Sequence, residues 1–201
     1  MGNVCIFAAS SSKIADKYIS AAYRLGMLLA EHGIGLVFGG GRTGLMGACA
    51  RGVKAAGGKA IGVIPKKLNQ PGIAFEHCDE LIVTADMHER KATMERLSSA
   101  YIALPGGVGT LEELMEVLTL NQLGYIEAPV VVFDQDGFYD NLLKQLDVFA
   151  QEGFMHQACL KLFDRALTPE EAVDKLLSFE RAELPDKIKE AVKDHEKCSA
   201  G

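Results

Sequence analysis

Gly35-Leu36-Val37-Phe38-Gly39-Gly40-Gly41-Arg42-Thr43-Gly44-Leu45-Met46-Gly47 runs from a short apolar segment through a knot of glycines into a stretch with helical periodicity. Strand, tight glycine loop and helix in that order open a βαβ unit. The same alternation continues in both directions. Strands are expected at residues 4–8, 35–38, 60–64, 81–84, 101–104, 130–133 and 162–166. Helices are expected at 16–32, 44–56, 87–99, 111–123 and 139–152, with a last one after Thr168-Pro169-Glu170-Glu171, a helix-start signal. This order predicts an α/β fold: a doubly wound, mostly parallel sheet of about seven strands flanked by helices.

Gly39, Gly41 and Gly44 satisfy the GxGxxG pattern of a dinucleotide site, but that site calls for an Asp or Glu about twenty residues on, at the end of the next strand. Here that strand ends Ile64-Pro65-Lys66-Lys67. A smaller phosphate ligand fits the loop better than a nicotinamide cofactor. The glycines also have a purely structural use, a tight turn with close helix-on-strand packing. Gly40, Gly41 and Gly44 are therefore carried as phosphate-binding or structural loop residues.

A second glycine loop, Pro105-Gly106-Gly107-Val108-Gly109-Thr110-Leu111-Glu112-Glu113, follows the strand expected at 101–104. A helix beginning there presents unpaired backbone N–H groups to an anion. Thr110 as N-cap with Glu113 three residues later is equally a capping box. The capping box leaves Glu112 unexplained, and two acids beside a phosphate-type loop suggest chemistry near an anion. Upstream, Asp86-Met87-His88-Glu89-Arg90-Lys91 reads as another helix start, with Asp86 as cap. Helical spacing sets Arg90 on one face with Met87 and Met94, so it points inward and requires an anionic partner: Glu113, a substrate phosphate or both. A structural bridge between neighbouring helices, with Lys91 in solvent, satisfies the same pattern.

With 201 residues, 48% of them hydrophobic, the chain can bury the core of one domain, expected over residues 1–182, and residues 183–201 form a charged tail expected to be a frayed helix. A net charge of −6 argues against a nucleic-acid partner, and no apolar run approaches the roughly 20 residues needed to span a membrane. Five cysteines without a CxxC pair suit a reducing cytoplasm, and five scattered histidines suggest no metal site.

The linked motifs, Met87-His88-Glu89-Arg90-Lys91 and Pro105 to Glu113, closely resemble the LOG family of cytokinin riboside 5′-monophosphate phosphoribohydrolases, often labelled lysine decarboxylase-like. The similarity extends from the first strand through Gly153-Phe154-Met155 and includes Gly39 to Gly47, Gln122-Leu123-Gly124 and Asp136-Gly137-Phe138-Tyr139. It implies a Rossmann-like fold, usually dimeric, that cleaves the N-glycosidic bond of nucleoside 5′-monophosphates such as AMP without a metal or other cofactor. By this likeness Arg90 and Glu113 are the catalytic pair, and Lys91, Gly107, Val108, Gly109, Thr110, Glu112 and Thr119 line the nucleotide site. Many members have Tyr where Val108 stands. Plant members carry a substrate-contacting Glu in the segment corresponding to about residues 68–76, where Glu76 is the acid available here. Amino-acid decarboxylation normally draws on an electron sink such as pyridoxal phosphate held on a lysine, and no lysine context indicates one.

Two other readings stay beside this one. The chain also looks like molybdenum-cofactor carrier proteins, which share the glycine loops and bind a pterin phosphate without cleaving it. General salvage of other nucleoside monophosphates is the second. A homodimer is expected from the family likeness, and the apolar helix at 111–123 offers a surface for it.

Overall fold

A computed structural model describes residues 2–180. Seven strands, β1 (Asn3–Phe7), β2 (Gly35–Phe38), β3 (Ala60–Pro65), β4 (Glu80–Thr84), β5 (Ala100–Ala103), β6 (Val130–Phe133) and β7 (Asp164–Ala166), form one sheet. Its order is β4-β3-β2-β1-β5-β6-β7 and every neighbouring pair is parallel. Six α-helices alternate with them: α1 (Asp16–Glu31), α2 (Gly44–Ala55), α3 (Met87–Arg96), α4 (Val108–Gln122), α5 (Asp140–Gln151) and α6 (Pro169–Leu177). The expected doubly wound α/β architecture is present. The expected tail, 183–201, lies outside the described residues.

Alternate residues of each strand serve opposite layers. Val4, Ile6, Leu36 and Phe38 pack with Leu25, Leu29, Cys49, Val53 and Leu176, which belong to α1, α2 and α6. Cys5, Val37, Val63, Tyr101 and Val132 pack with Met94 of α3 and with Leu114, Val117 and Leu118 of α4. Helices α1 and α2 approach backbone to backbone: a Cβ on Gly26 would stand 2.1 Å from the Cys49 oxygen, and one on Gly52 2.0 Å from the Tyr23 oxygen.

The sequence expectation places α4 one turn too late. Its N-cap is Gly107, in extended backbone, and Val108 is the first helical residue, so Thr110 lies inside the first turn rather than capping it. The Thr110 hydroxyl folds back over Gly106, where a Cβ would come within 2.1 Å of its Oγ1. The caps read for the other two starts are present. Asp86 accepts hydrogen bonds from the N–H groups of His88 and Glu89, both at 2.9 Å, and Thr168 accepts one from Glu171 at 3.1 Å. Short 3-10 turns at Gln135–Gly137 and Gln157–Lys161, absent from the sequence reading, precede α5 and β7.

Candidate active site

The chain winds outward from β1 through β4, then returns to the other side of β1 to lay down β5, β6 and β7. At that reversal the connections after β1 and β5 diverge to opposite sides of the sheet and leave a crevice at the carboxyl ends of the strands, the usual ligand position in open α/β sheets. A cavity of about 520 Å³ occupies it. Residues 8–11 after β1 and Gly39, Gly41 and Thr43 after β2 form one side, and Gly107, Gly109, Thr110, Glu112 and Glu113 of the β5–α4 region form the other. Arg90 reaches in from α3.

Arg90 is 6% exposed and Glu113 7%, and the guanidinium Nη1 donates to Glu113 Oε1 at 2.7 Å. Nε of Arg90 donates to the carbonyl of Val63 at 3.2 Å, which anchors the guanidinium to the end of β3. The ring of contacts closes over Gly39, where a Cβ would stand 1.9 Å from Arg90 Nη2 and 3.0 Å from Cζ. Glycine at position 39 thus provides the space in which the guanidinium lies. The inward Arg90 expected from helical spacing is observed, and its carboxylate partner is Glu113.

Burial raises the pKa of Glu113 above the ordinary carboxylate value, and the opposing attraction of Arg90, although present as charge and as hydrogen bond, does not cancel it. A carboxylate held this way is a stronger proton acceptor than one in water.

The two glycine loops have different uses. At the start of α2, the N–H groups of Leu45 and Met46 donate to the carbonyl of Ala9 at 3.0 and 3.3 Å, so the chain after β1 occupies that helix terminus. Gly44 has φ of +64°, and a Cβ there would come within 2.4 Å of the same oxygen. Gly40, with φ of +72°, packs against Ile64. Both are structural, and of this loop's three candidate residues Gly41 alone lines the cavity. At the start of α4 the N–H groups of Val108, Gly109 and Thr110 precede any intrahelical acceptor, and the positions where Gly107 and Gly109 would carry Cβ atoms face open space.

The remaining candidates divide. Glu112 lines the cavity and is paired with Lys91, whose ammonium also lies 2.8 Å from Glu116. Burial disfavours the Lys91 charge, yet Glu112 and Glu116 outweigh it and raise its pKa. Lys91 is therefore committed to α4 and does not line the cavity. Val108 is 85% exposed at the helix start, outside the cavity lining. Thr119 is also outside it and donates its hydroxyl to the Met115 carbonyl at 2.7 Å. Glu76 lies on a different cavity altogether. Sequence reasoning did not single out Ser10 and Ser11, and it read Gly39 and Met46 only as part of the first glycine loop, although all four border the crevice. The usable signal was Ala8-Ala9-Ser10-Ser11-Ser12, a small and polar run immediately after the central strand.

Comparison with known proteins identifies the family and the fold. A family model described as "Possible lysine decarboxylase" matches residues 46–176. The probable cytokinin riboside 5′-monophosphate phosphoribohydrolase LOGL1 of Oryza sativa subsp. japonica is 42% identical over 181 residues, 90% of this chain and 81% of that protein. Cytokinin riboside 5′-monophosphate phosphoribohydrolase LOG4 of Arabidopsis thaliana is 45% identical over 178 residues, 89% of this chain and 83% of that protein. Among solved structures, the molybdenum cofactor carrier protein of Chlamydomonas reinhardtii superposes with a TM-score of 0.66 at 25% identity, covering 88% of this chain and 98% of that one. A structural-genomics X-ray structure reaches 0.70 at 21% identity, covering 89% of this chain and 100% of that one, a likeness of fold. The sequence matches extend through the Arg90 and Glu113 segments and most of the sheet, and the chain belongs to the LOG family of cytokinin riboside 5′-monophosphate phosphoribohydrolases.

Proposed function

We propose that this protein hydrolyses the N-glycosidic bond of nucleoside 5′-monophosphates, AMP or a cytokinin riboside 5′-monophosphate, to free base and ribose 5-phosphate. The observation that carries the reading is the buried Arg90–Glu113 pair on the wall of a cavity that also holds the uncapped start of α4. The first turn of α4 takes the 5′-phosphate through the N–H groups of Val108, Gly109 and Thr110, which lack intrahelical partners and stand at the positive end of the helix dipole. Gly107 and Gly109 leave room for the phosphate to reach them.

With the phosphate so placed, Glu113 accepts a proton from the attacking water and its charge stabilises the oxocarbenium-like ribosyl centre. Water oxygen bonds to C1′ as the C1′–N bond breaks, and its electron pair leaves with the base, which takes up a proton. Arg90 holds Glu113 in position and meets ribose hydroxyls or phosphate oxygen. Lys91 acts through Glu112, fixing the mouth of the cavity.

A non-catalytic carrier of a phosphorylated cofactor is the competing reading, motivated by the names of the structural neighbours. The buried acid raised in pKa favours hydrolysis, because an anion carrier gains nothing from a carboxylate beside its ligand. The test is incubation with AMP, isopentenyladenosine monophosphate and the corresponding nucleosides, followed by chromatography of free base. Release from the monophosphates alone supports the hydrolase. Tight binding without release supports the carrier.

We also propose a homodimer in which a neighbouring copy covers the region around the end of α4. Leu123 and Tyr125, which follow the last turn of α4, expose large apolar side chains, at 47% and 76%. Thr119 lies on the same helix and would then be placed by the assembly rather than by the single chain. Sedimentation equilibrium tests it, and a monomer at micromolar concentration opposes it.

A further inference from the structure

Behind the β2–α2 loop lies a second cavity, of about 550 Å³, that takes no part in the chemistry above. Arg42, Arg51, Lys54 and His77 border it, together with the carboxylate of Glu76 and the buried ring of Phe75. Three permanent cations converge here on a protein whose net charge is −6. Lys54 is neutralised by Asp79, with its ammonium 2.8 and 2.9 Å from the two carboxylate oxygens. Among the described residues neither Arg42 nor Arg51 has a carboxylate within ion-pair distance. Arg51 is held in place by donating from Nη1 to the Arg42 carbonyl at 2.8 Å, which leaves the rest of its planar donor set for an external acceptor.

We infer that this cavity is a second anion site that binds a polyphosphate chain, inorganic or nucleoside-linked, between Arg42 and Arg51. Guanidinium groups bind phosphate oxygens bidentately, and two of them without a carboxylate partner match a ligand with more than one phosphoryl group. The volume lies within the range of small-molecule sites, about 300–1,000 Å³. Glu76 repels an anion at one edge and so directs the chain toward the arginine side.

The wall between the two cavities is shared. Arg42 N–H donates to the Ile73 carbonyl at 2.9 Å, Phe75 N–H donates to the Gly40 carbonyl at 2.8 Å, and Gly41 bridges Ala74. Gly41, Thr43 and Ile73 face the catalytic cavity, whereas Arg42 and Ala74 face the second one. A ligand that fixes Arg42 therefore also fixes the loop that supplies one side of the catalytic crevice.

The experiment is titration of the full-length protein with pyrophosphate, ATP and AMP by isothermal calorimetry at low and moderate salt, in the wild type and in Arg42→Ala/Arg51→Ala. The Glu113→Gln variant is titrated in parallel to prevent turnover. Wild type and Glu113→Gln are expected to bind pyrophosphate or ATP, and the double variant to bind at least tenfold more weakly while AMP binding stays within about twofold. Because Arg51 also braces the loop, Arg42→Glu is the second variant, changing an exposed side chain alone, and it should weaken polyphosphate binding at least as strongly. Pyrophosphate binding without ATP binding assigns the site to inorganic polyphosphate, and binding of both assigns it to the phosphate chain wherever that chain is carried. Unchanged polyphosphate binding in both arginine variants, or no polyphosphate binding by the wild type at millimolar ligand and low salt, overturns the inference. Failure of AMP hydrolysis bears on the catalytic reading alone.

Discussion

Arg90 Nη1 and Glu113 Oε1 meet 2.7 Å apart in a site where both side chains are almost removed from solvent. The Arg90 guanidinium can lie there because position 39 has no side chain and because the Val63 carbonyl receives its Nε hydrogen. Four elements thus converge on one ion pair: the loop after β2, the end of β3 and the first turns of α3 and α4.

Gly39→Ala is expected to displace the guanidinium, since its Cβ would fall 1.9 Å from Arg90 Nη2. Catalytic rate is expected to drop at least tenfold, on the order of what a misplacement of about 1 Å costs. The change of kcat against KM for AMP, measured beside thermal unfolding, separates this from a general loss of fold.

Glu113→Ala leaves Arg90 buried without its carboxylate. A loss of about 3–5 kcal/mol in urea unfolding is expected, the range for breaking one side of a buried pair. Arg90→Met, which removes the cation and keeps an apolar chain, combined with Glu113→Leu should recover much of that stability without recovering activity. A single Glu113→Ala loss below 1 kcal/mol would show that the pair is solvated.

The raised pKa of Glu113 has consequences of opposite sense for activity and stability. A base must be ionised, so kcat/KM for AMP should fall as pH drops through the folded pKa, with its acid limb above the ordinary Glu value of about 4.3. Because the folded pKa exceeds the unfolded one, this group's contribution to stability is fully present below the unfolded pKa and is lost as pH rises through the folded pKa. Urea midpoints of wild type and Glu113→Gln across that window check the second effect.

Lys91 neutralises Glu112 and Glu116, with Glu95 close by. Burial and then Glu116 raise the pKa of Glu95, so the group already shows strain between like charges. Lys91→Ala should cost about 1 kcal/mol, less at high salt, because Glu112 is half exposed. Activity should decline far less than in Glu113→Gln, whereas a loss equal to Glu113→Gln would make Lys91 a direct substrate contact.

Much of this molecule could be read along the chain because strand, loop and helix alternate with local signals: β-branched runs, the Asp86 and Thr168 caps, and apolar residues at helical spacing. The start of α4 was misread because Thr110 and Glu113 have capping-box spacing. Glu113 has instead turned to Arg90, 23 residues away in sequence, a tertiary partner that no local rule weighs. Lys91 illustrates the converse: one residue beyond Arg90 means about 100° around the helix, enough to direct it to Glu112 and Glu116 instead of the cavity. Ser10 and Ser11 are not legible in the sequence because their importance arises from the strand reversal between β1 and β5, a property of the assembled sheet, and the glycine pattern that marks Gly39 says nothing of the Arg90 guanidinium it makes room for. The separate uses of the two glycine loops rest on the Ala9 carbonyl at the α2 terminus, a contact between segments 36 residues apart that no local pattern encodes.

The most direct measurement is adenine release from AMP by wild type and Glu113→Gln under single-turnover conditions, at protein concentrations where calorimetry shows both saturated with nucleotide. The account expects wild type to release adenine and ribose 5-phosphate in equal amounts, and Glu113→Gln to bind AMP within a few-fold while releasing adenine roughly 10²–10⁴ times more slowly. Equal rates for the two proteins at saturation, or AMP left intact by the wild type, would contradict it.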